Sequence, residues 1–183
     1  MKDEALKEIT LDSTRVFRGH IFDVEKRRVK LPNGSEAPRE VVMHPGAVCV
    51  IALTEEGTVP LVRQWRSGYG GMTLELPAGK LDAGGEDPLT AAKRELREET
   101  GLTAGEWTPL GEFYGSPAIL DEKIYMYLAR DLNRGEAEPD ADEFLEVGYY
   151  PLEALVEMAL SGELPDGKTQ CGVLRLSKML EIK

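Results

Sequence analysis

"GKLDAGGEDPLTAAKRELREETGL", residues 79 to 102, decides how the rest of the chain is read. Its punctuation predicts a helix over about 88–100. Asp87 can cap the N-terminus, Pro88 suits the first helical position, and Gly101 suits the left-handed position past the end. At ~100° per residue, Glu95, Glu98 and Glu99 share one face. Leu89 and Leu96 fall on an adjoining face, and Lys93 and Arg97 on the opposite side. Like charges at these spacings destabilise an isolated helix by roughly 0.2–0.5 kcal/mol per pair, so something compensates. Either the glutamates pair with Lys93, Arg94 and Arg97 on a solvated helix, or they hold a hard divalent cation, which takes oxygen ligands.

Upstream of this stretch, "AVCVIALT" (47–54) is apolar enough for a central strand, and "EEG" turns it into a second strand, "TVPLVRQWR" (58–66), followed by a short "LEL" strand. Further back, residues 15–31 alternate apolar and polar through Ile21, Phe22, Val24, Val29 and Leu31 before the turn signal "PNG" at 32–34. With "EAPREVVMH" after it, this predicts a β-rich appendage over residues 1–45, leaving 46–183 as the main domain. Downstream, "WTPLGEFYG" and "KIYMYLARDL" read as strands and "NRGEAEPDADE" as a loop. The strand "FLEVGYY" and the helices "PLEALVEMALSG" and "GKTQCGVLRLSKMLE" close the chain.

Composition narrows the function. The 183 residues suit one domain with a small appendage, and 42% hydrophobic with 30% charged residues suits a globular protein. A net charge of −11 disfavours nucleic acid and anionic membranes as partners, and leaves small anions possible where cations bring them in. Cys49 and Cys171 lie far apart with no metal-ligand spacing, so both read as packing thiols in a reducing compartment. No apolar run approaches ~18 residues and "MKDEALKEITLDS" lacks the centre of a signal peptide, so a cytoplasmic protein is expected. His20 and His44 support no zinc site, and the "DLNRGEAEPDADEF" stretch fails the calcium-loop rhythm.

The acidic helix resembles the Nudix box, the signature of the Nudix hydrolases: a glycine, five residues, a glutamate, seven residues, then R-E-U-x-E-E-x-G-U, with U a bulky aliphatic residue. Glu86, Arg94, Glu95, Leu96, Glu98, Glu99, Gly101 and Leu102 match. Only the opening glycine departs, because Gly79 stands one residue too far from Glu86. The helix register is internal, so the extra residue does not rotate Glu95 relative to Glu99, and "AGG" at 83–85 can absorb it as a wider turn.

The resemblance implies an α/β fold, the Nudix α/β/α sandwich with a mixed β-sheet, plus the small N-terminal β-appendage. It implies Mg²⁺, or Mn²⁺, held by the Ala78 carbonyl, Glu95 and Glu99 with Glu98 assisting, while Gly79, Glu86, Arg94 and Gly101 shape the box. Pro117 sixteen positions beyond Gly101, "LVRQWR" at 61–66, "ELPAGK" at 75–80 and the appendage resemble the ADP-ribose pyrophosphatase branch. That branch implies a nucleoside diphosphate substrate and a homodimer, with the appendage commonly exchanged between the two chains. Arg39 and Arg66, then Arg63, are the expected guanidinium donors to the substrate, with Pro117 beside them. Phe17 or Phe22 is expected at the adenine. Glu143 matches the loop glutamate assigned as base, giving Glu143, Glu98 and Glu99 as catalytic residues, with Asp142 and Glu146 as near neighbours. GDP-mannose or another nucleotide sugar is the alternative substrate. A nucleotide-sensing module that has lost turnover is the non-enzymatic alternative.

Overall fold

The computed structural model describes residues 3–82, 85–139, 141 and 143–181. Their contacts divide into two units. One comprises residues up to Pro45 together with Tyr114–Glu122, the other Gly46–Phe113 and residues from Lys123 onward.

The first unit is built on an antiparallel sheet of Ile9–Arg18 (β1), Asp23–Lys30 (β2) and Glu36–Met43 (β3), in the order β1-β2-β3. The alternating run over 15–31 is therefore two strands. The chain reverses at 19–22, where the Gly19 amide donates to the Phe22 carbonyl (3.0 Å). The expected turn at "PNG" carries Gly34 at φ +87°, with the Asn33 side chain accepting from the Ser35 amide (3.0 Å). Tyr114–Glu122 joins this unit through backbone bonds, Val42 N–H to the Ile119 carbonyl (2.7 Å) and Asp121 N–H to the Val42 carbonyl (3.1 Å).

The second unit is organised around Ala47–Ala52 (β4), buried at every position. Side chains alternate across a strand, so β4 serves two cores. Val48, Val50 and Ala52 pack with Ala91, Ala92 and Leu96 of the helix Pro88–Thr100 (α1). Cys49 and Ile51 pack on the other face with Leu155 of Leu152–Ser161 (α2) and Val173 and Leu176 of Gly167–Glu181 (α3). Helices thus cover both faces of the strand layer, an α/β/α arrangement.

Two sheets make that layer. Ala78–Lys80 (β7), β4, Ile124–Arg134 (β9) and Leu102–Phe113 (β8) run in the order β7-β4-β9-β8, with β4 and β9 parallel. Thr58–Arg66 (β5) lies between Leu145–Pro151 (β10) and Gly71–Glu75 (β6). Several bounds differ from the sequence expectation: β6 starts three residues earlier at Gly71, β7 forms in the glycine-rich connection, β8 starts five residues earlier at Leu102, and β9 runs on to Arg134. The added stretches are secured by ladder pairing, Arg66 with Gly71, Cys49 with Ala78 and Leu102 with Arg134, which local pattern does not reveal. Among the described residues no helix is long and apolar enough to cross a membrane.

Candidate active site

The helix α1 is punctuated as its sequence requires. The Asp87 carboxylate accepts from the Thr90 amide (2.9 Å), Pro88 opens the helix, and Gly101 closes it at φ +71° with its amide on the Arg97 carbonyl (2.8 Å). Gly101 is also a contact point: a Cβ there would lie 2.6 Å from the Gly135 carbonyl oxygen. The Gly135 amide donates to the Gly101 carbonyl and the Glu138 amide to the Glu98 carbonyl, so the segment after β9 is tied to the end of α1.

Register then sets the three carboxylates. Glu95 and Glu99 are buried, at 8% and 2% exposure, while Glu98 is half-buried. Arg94 binds three of the helix's acidic neighbours at once: Glu95 (2.7 Å), Glu98 (3.0 Å) and, through two nitrogens, Glu86 (3.1 and 3.2 Å). Glu86 also accepts from the Asp82 amide (3.0 Å), so Glu86 and Arg94 pin the loop before α1 to the helix. Glu99 has no ion-pair partner among the described residues and accepts from the Ala78 amide (3.0 Å).

Burial is the main cause pushing the Glu95 carboxyl up to about 7, against the pull of Arg94. Burial likewise pushes Glu99 up to about 8, opposed by the Ala78 amide. The charge of Glu143 adds to both shifts, which places that side chain's field on the pair. Such a pair is costly to keep ionised in isolation.

Gly79 explains how the box survives its extra residue. It lies in β7 opposite Val48 of β4, so its position is set by sheet pairing and not by the count to Glu86. A Cβ at Gly79 would stand 2.0 Å from a Glu95 carboxylate oxygen; only glycine lets the strand pass under that side chain. The surplus residue falls in the connection after β7, where Gly85 adopts φ +85°. Ala83 and Gly84, the other part of the expected wide turn, lie outside the described residues, as does Asp142.

The donor set fits a hard divalent cation, since Glu95 and Glu99 are buried oxygen donors beside the Ala78–Gly79 backbone, and Glu99 has no ion-pair partner among the described residues. Among the described residues no three acidic, histidine or cysteine side chains are already gathered for a metal; Arg94 holds Glu95 and Glu98 instead.

The other expected residues divide by unit. In the second, Arg66 grips Glu75 with two bonds (2.7 and 2.8 Å) while its side chain stays 44% exposed, and Arg63 pairs with Glu146 across the β5–β10 ladder (3.3 Å). In the first, Arg39 binds Glu8, Phe17 and Phe22 lie with ring centroids 5.8 Å apart, and Pro117 sits in an exposed turn closed by Ile119 N–H on the Ser116 carbonyl (3.1 Å). Cys49 is a buried thiol pushed up to about 12 by burial, as expected of a packing residue; Cys171 is half-buried. One feature escaped the sequence reading, an ion cluster of Glu75, Arg66, Lys168 and Asp166. Its members come from β5, β6 and the start of α3, and no spacing connects them.

The chain is similar to known proteins over most of its length. The NUDIX domain family model matches residues 43–169, and the nucleoside diphosphate sugar hydrolase N-terminal domain model matches residues 8–42. The ADP-ribose pyrophosphatase of Bacillus subtilis (strain 168) is 40% identical over 182 residues, covering 97% of this chain and 98% of its own length. The ADP-ribose pyrophosphatase of Mycobacterium tuberculosis (strain ATCC 25618 / H37Rv) is 39% identical, covering 90% of this chain and 81% of its own length. A methanol dehydrogenase activator of Bacillus methanolicus is 38% identical, covering 97% of each chain. Among solved structures, the crystal structure of an ADP compounds hydrolase superposes with a TM-score of 0.82 at 24% identity, covering 96% of this chain and 95% of its own; at that identity it bears on the fold alone.

Proposed function

Because the chain belongs to the NUDIX domain family, we propose that it is a divalent-metal-dependent pyrophosphatase that hydrolyses ADP-ribose to AMP and ribose 5-phosphate. The observation that carries this reading is the buried pair Glu95 and Glu99 lying against Gly79 and Ala78, a hard-oxygen site in which Glu99 has no ion-pair partner among the described residues. The substrate is supported by the two ADP-ribose pyrophosphatases that resemble the chain along nearly its whole length.

Glu95, Glu99 and the Ala78 carbonyl would hold the ion, Mg²⁺ or Mn²⁺, with Glu98 assisting. When bound, that ion supplies positive charge for phosphate oxygens and acidifies water. The chain's own residues do the rest. Glu143, whose charge is felt by both buried carboxylates, accepts the proton of the attacking water. Its neighbour Glu146 pairs with Arg63. Arg39, Arg63, Arg66 and Pro117 are the proposed substrate-binding residues. Arg66 keeps an exposed edge while Glu75 fixes its orientation, a pre-organised guanidinium of the kind that phosphate recognition favours. Water adds to one phosphorus as the bridging P–O bond breaks, and the departing phosphate carries the negative charge.

We also propose a homodimer in a reducing, cytoplasmic setting. The support is the exposed apolar surface of β1 and the turn after it, Ile9, Leu11, Val16, Phe17, Ile21 and Phe22, together with a buried thiol left unpaired.

The test is product analysis with ADP-ribose, GDP-mannose and a nucleoside triphosphate in separate Mg²⁺ reactions, beside Glu99→Gln. The expected result is AMP and ribose 5-phosphate from ADP-ribose, reduced at least about 100-fold in the variant. Turnover of GDP-mannose alone would transfer the assignment to that sugar nucleotide. Binding of ADP-ribose without turnover would support the sensor reading instead.

A further inference from the structure

Four consecutive residues lead from β6 into the carboxylate site, and each has its own partner. The Glu75 carboxylate accepts from Arg66 (2.7 and 2.8 Å), from the Thr73 hydroxyl (2.6 Å) and from the Lys168 ammonium. The Leu76 amide donates to the Thr169 hydroxyl (2.9 Å), and the Pro77 carbonyl accepts from the Val50 amide (2.9 Å). The Ala78 amide donates to Glu99 (3.0 Å). Two of these supports, Lys168 and Thr169, come from the first turn of α3.

That turn is itself pinned by Asp166, which accepts from the Thr169 amide (2.9 Å) and hydroxyl (2.6 Å) and pairs with Lys168 (3.0 Å). Lys168 is 12% exposed and Glu75 3%, so neither charge is tolerable unpaired. Among the described residues, Lys168 is the one cation paired with both Glu75 and Asp166. Without it, Glu75 keeps Arg66 and Thr73 while Asp166 keeps only Thr169, and repulsion between the two carboxylates works to part the α3 turn from the strand it supports.

We propose that Lys168 is a positioning residue of the metal site: by bridging Glu75 and Asp166 it holds the first turn of α3 against Glu75–Leu76 and so fixes the Ala78–Gly79 backbone beneath Glu99 and Glu95. The inference rests on reading Glu95 and Glu99 as the metal site, and is independent of which nucleotide is hydrolysed.

The experiment measures Mn²⁺ binding to the full chain by titration calorimetry without substrate, alongside the Mg²⁺ dependence of ADP-ribose hydrolysis. The proteins are wild type, Lys168→Met, Lys168→Arg and Thr169→Val. Lys168→Met and Thr169→Val are expected to weaken Mn²⁺ binding about tenfold and to lower kcat more than they raise KM. Lys168→Arg, which keeps the charge, is expected to restore affinity to within about threefold. Wild-type affinity in folded Lys168→Met, or in Thr169→Val should the lysine variant not fold, overturns the proposal. A wild-type protein that binds Mn²⁺ but hydrolyses none of the substrates defeats the proposed activity, while the binding series still decides the role of Lys168.

Discussion

Gly79 and Glu95 show how narrowly single residues constrain this site. The carboxylate lies so close to the Gly79 backbone that one methyl group would overlap it, at 2.0 Å from an oxygen. Gly79→Ala is expected to keep the fold, since β7 can yield at the edge of its sheet, and to lower kcat/KM by about 100-fold through displacement of Glu95. Unchanged far-UV circular dichroism with unchanged kcat/KM would show that the contact is not needed. The carboxylates were legible in the sequence because a helix's register is local arithmetic, and Glu95, Glu98 and Glu99 needed no tertiary information to share a face. Lys168 was not legible, because its partner Glu75 lies 93 residues away and a lone Gly-Lys at a helix start carries no pattern.

At the scale of elements, the ion cluster links β5, β6 and α3, and a pH response of stability is expected from it. Burial disfavours the Glu75 charge, yet Arg66, Lys168 and Thr73 together hold its carboxyl down to about 2, against an ordinary value of 4.5. A depressed carboxylate contributes stability that is complete above about pH 4.5 and is lost as pH falls through about 2. The contribution is on the order of 3 kcal/mol. Wild type should therefore exceed Glu75→Gln in urea unfolding free energy at pH 6, and the gap should close as pH falls from 4.5 towards 2. A gap constant with pH would place the loss in packing, not charge. The elements themselves were legible to different degrees. The helix α1 announced both ends, and β4 announced itself by an unbroken apolar run. By contrast β1 is exposed at every position and bulged between Thr10 and Asp12 and between Arg15 and Phe17, so no period-two burial pattern marks it. β7 is three residues long with a glycine at its centre, and it exists only because β4 offers an edge.

For the whole molecule, the proposed dimer follows from apolar residues that the single chain leaves in water. Phe17 is 51% exposed and Ile21 56% in the first unit, and Trp65 is 59% exposed on β5 of the second. A second copy covering such surfaces would recover roughly 25 cal/mol for each square ångström of apolar area. Sedimentation equilibrium at micromolar concentration should give twice the chain mass of 20.2 kDa, and a monomer there would remove the proposal. The net charge of −11 adds an expectation that association tightens as salt screens repulsion between copies.

The hydrogen bond from Leu76 to Thr169 also has a consequence for the order in which the protein matures. It joins residues 93 apart, and the parallel β4–β9 pairing likewise waits for Ile124–Arg134. Contacts of such separation form only after the intervening chain has been made and its loop closed. During synthesis, a nascent chain can expose every carboxylate of α1 long before the first turn of α3 has emerged. The backbone beneath Glu95 and Glu99, on which the proposed cation site depends, is therefore among the last features to be completed.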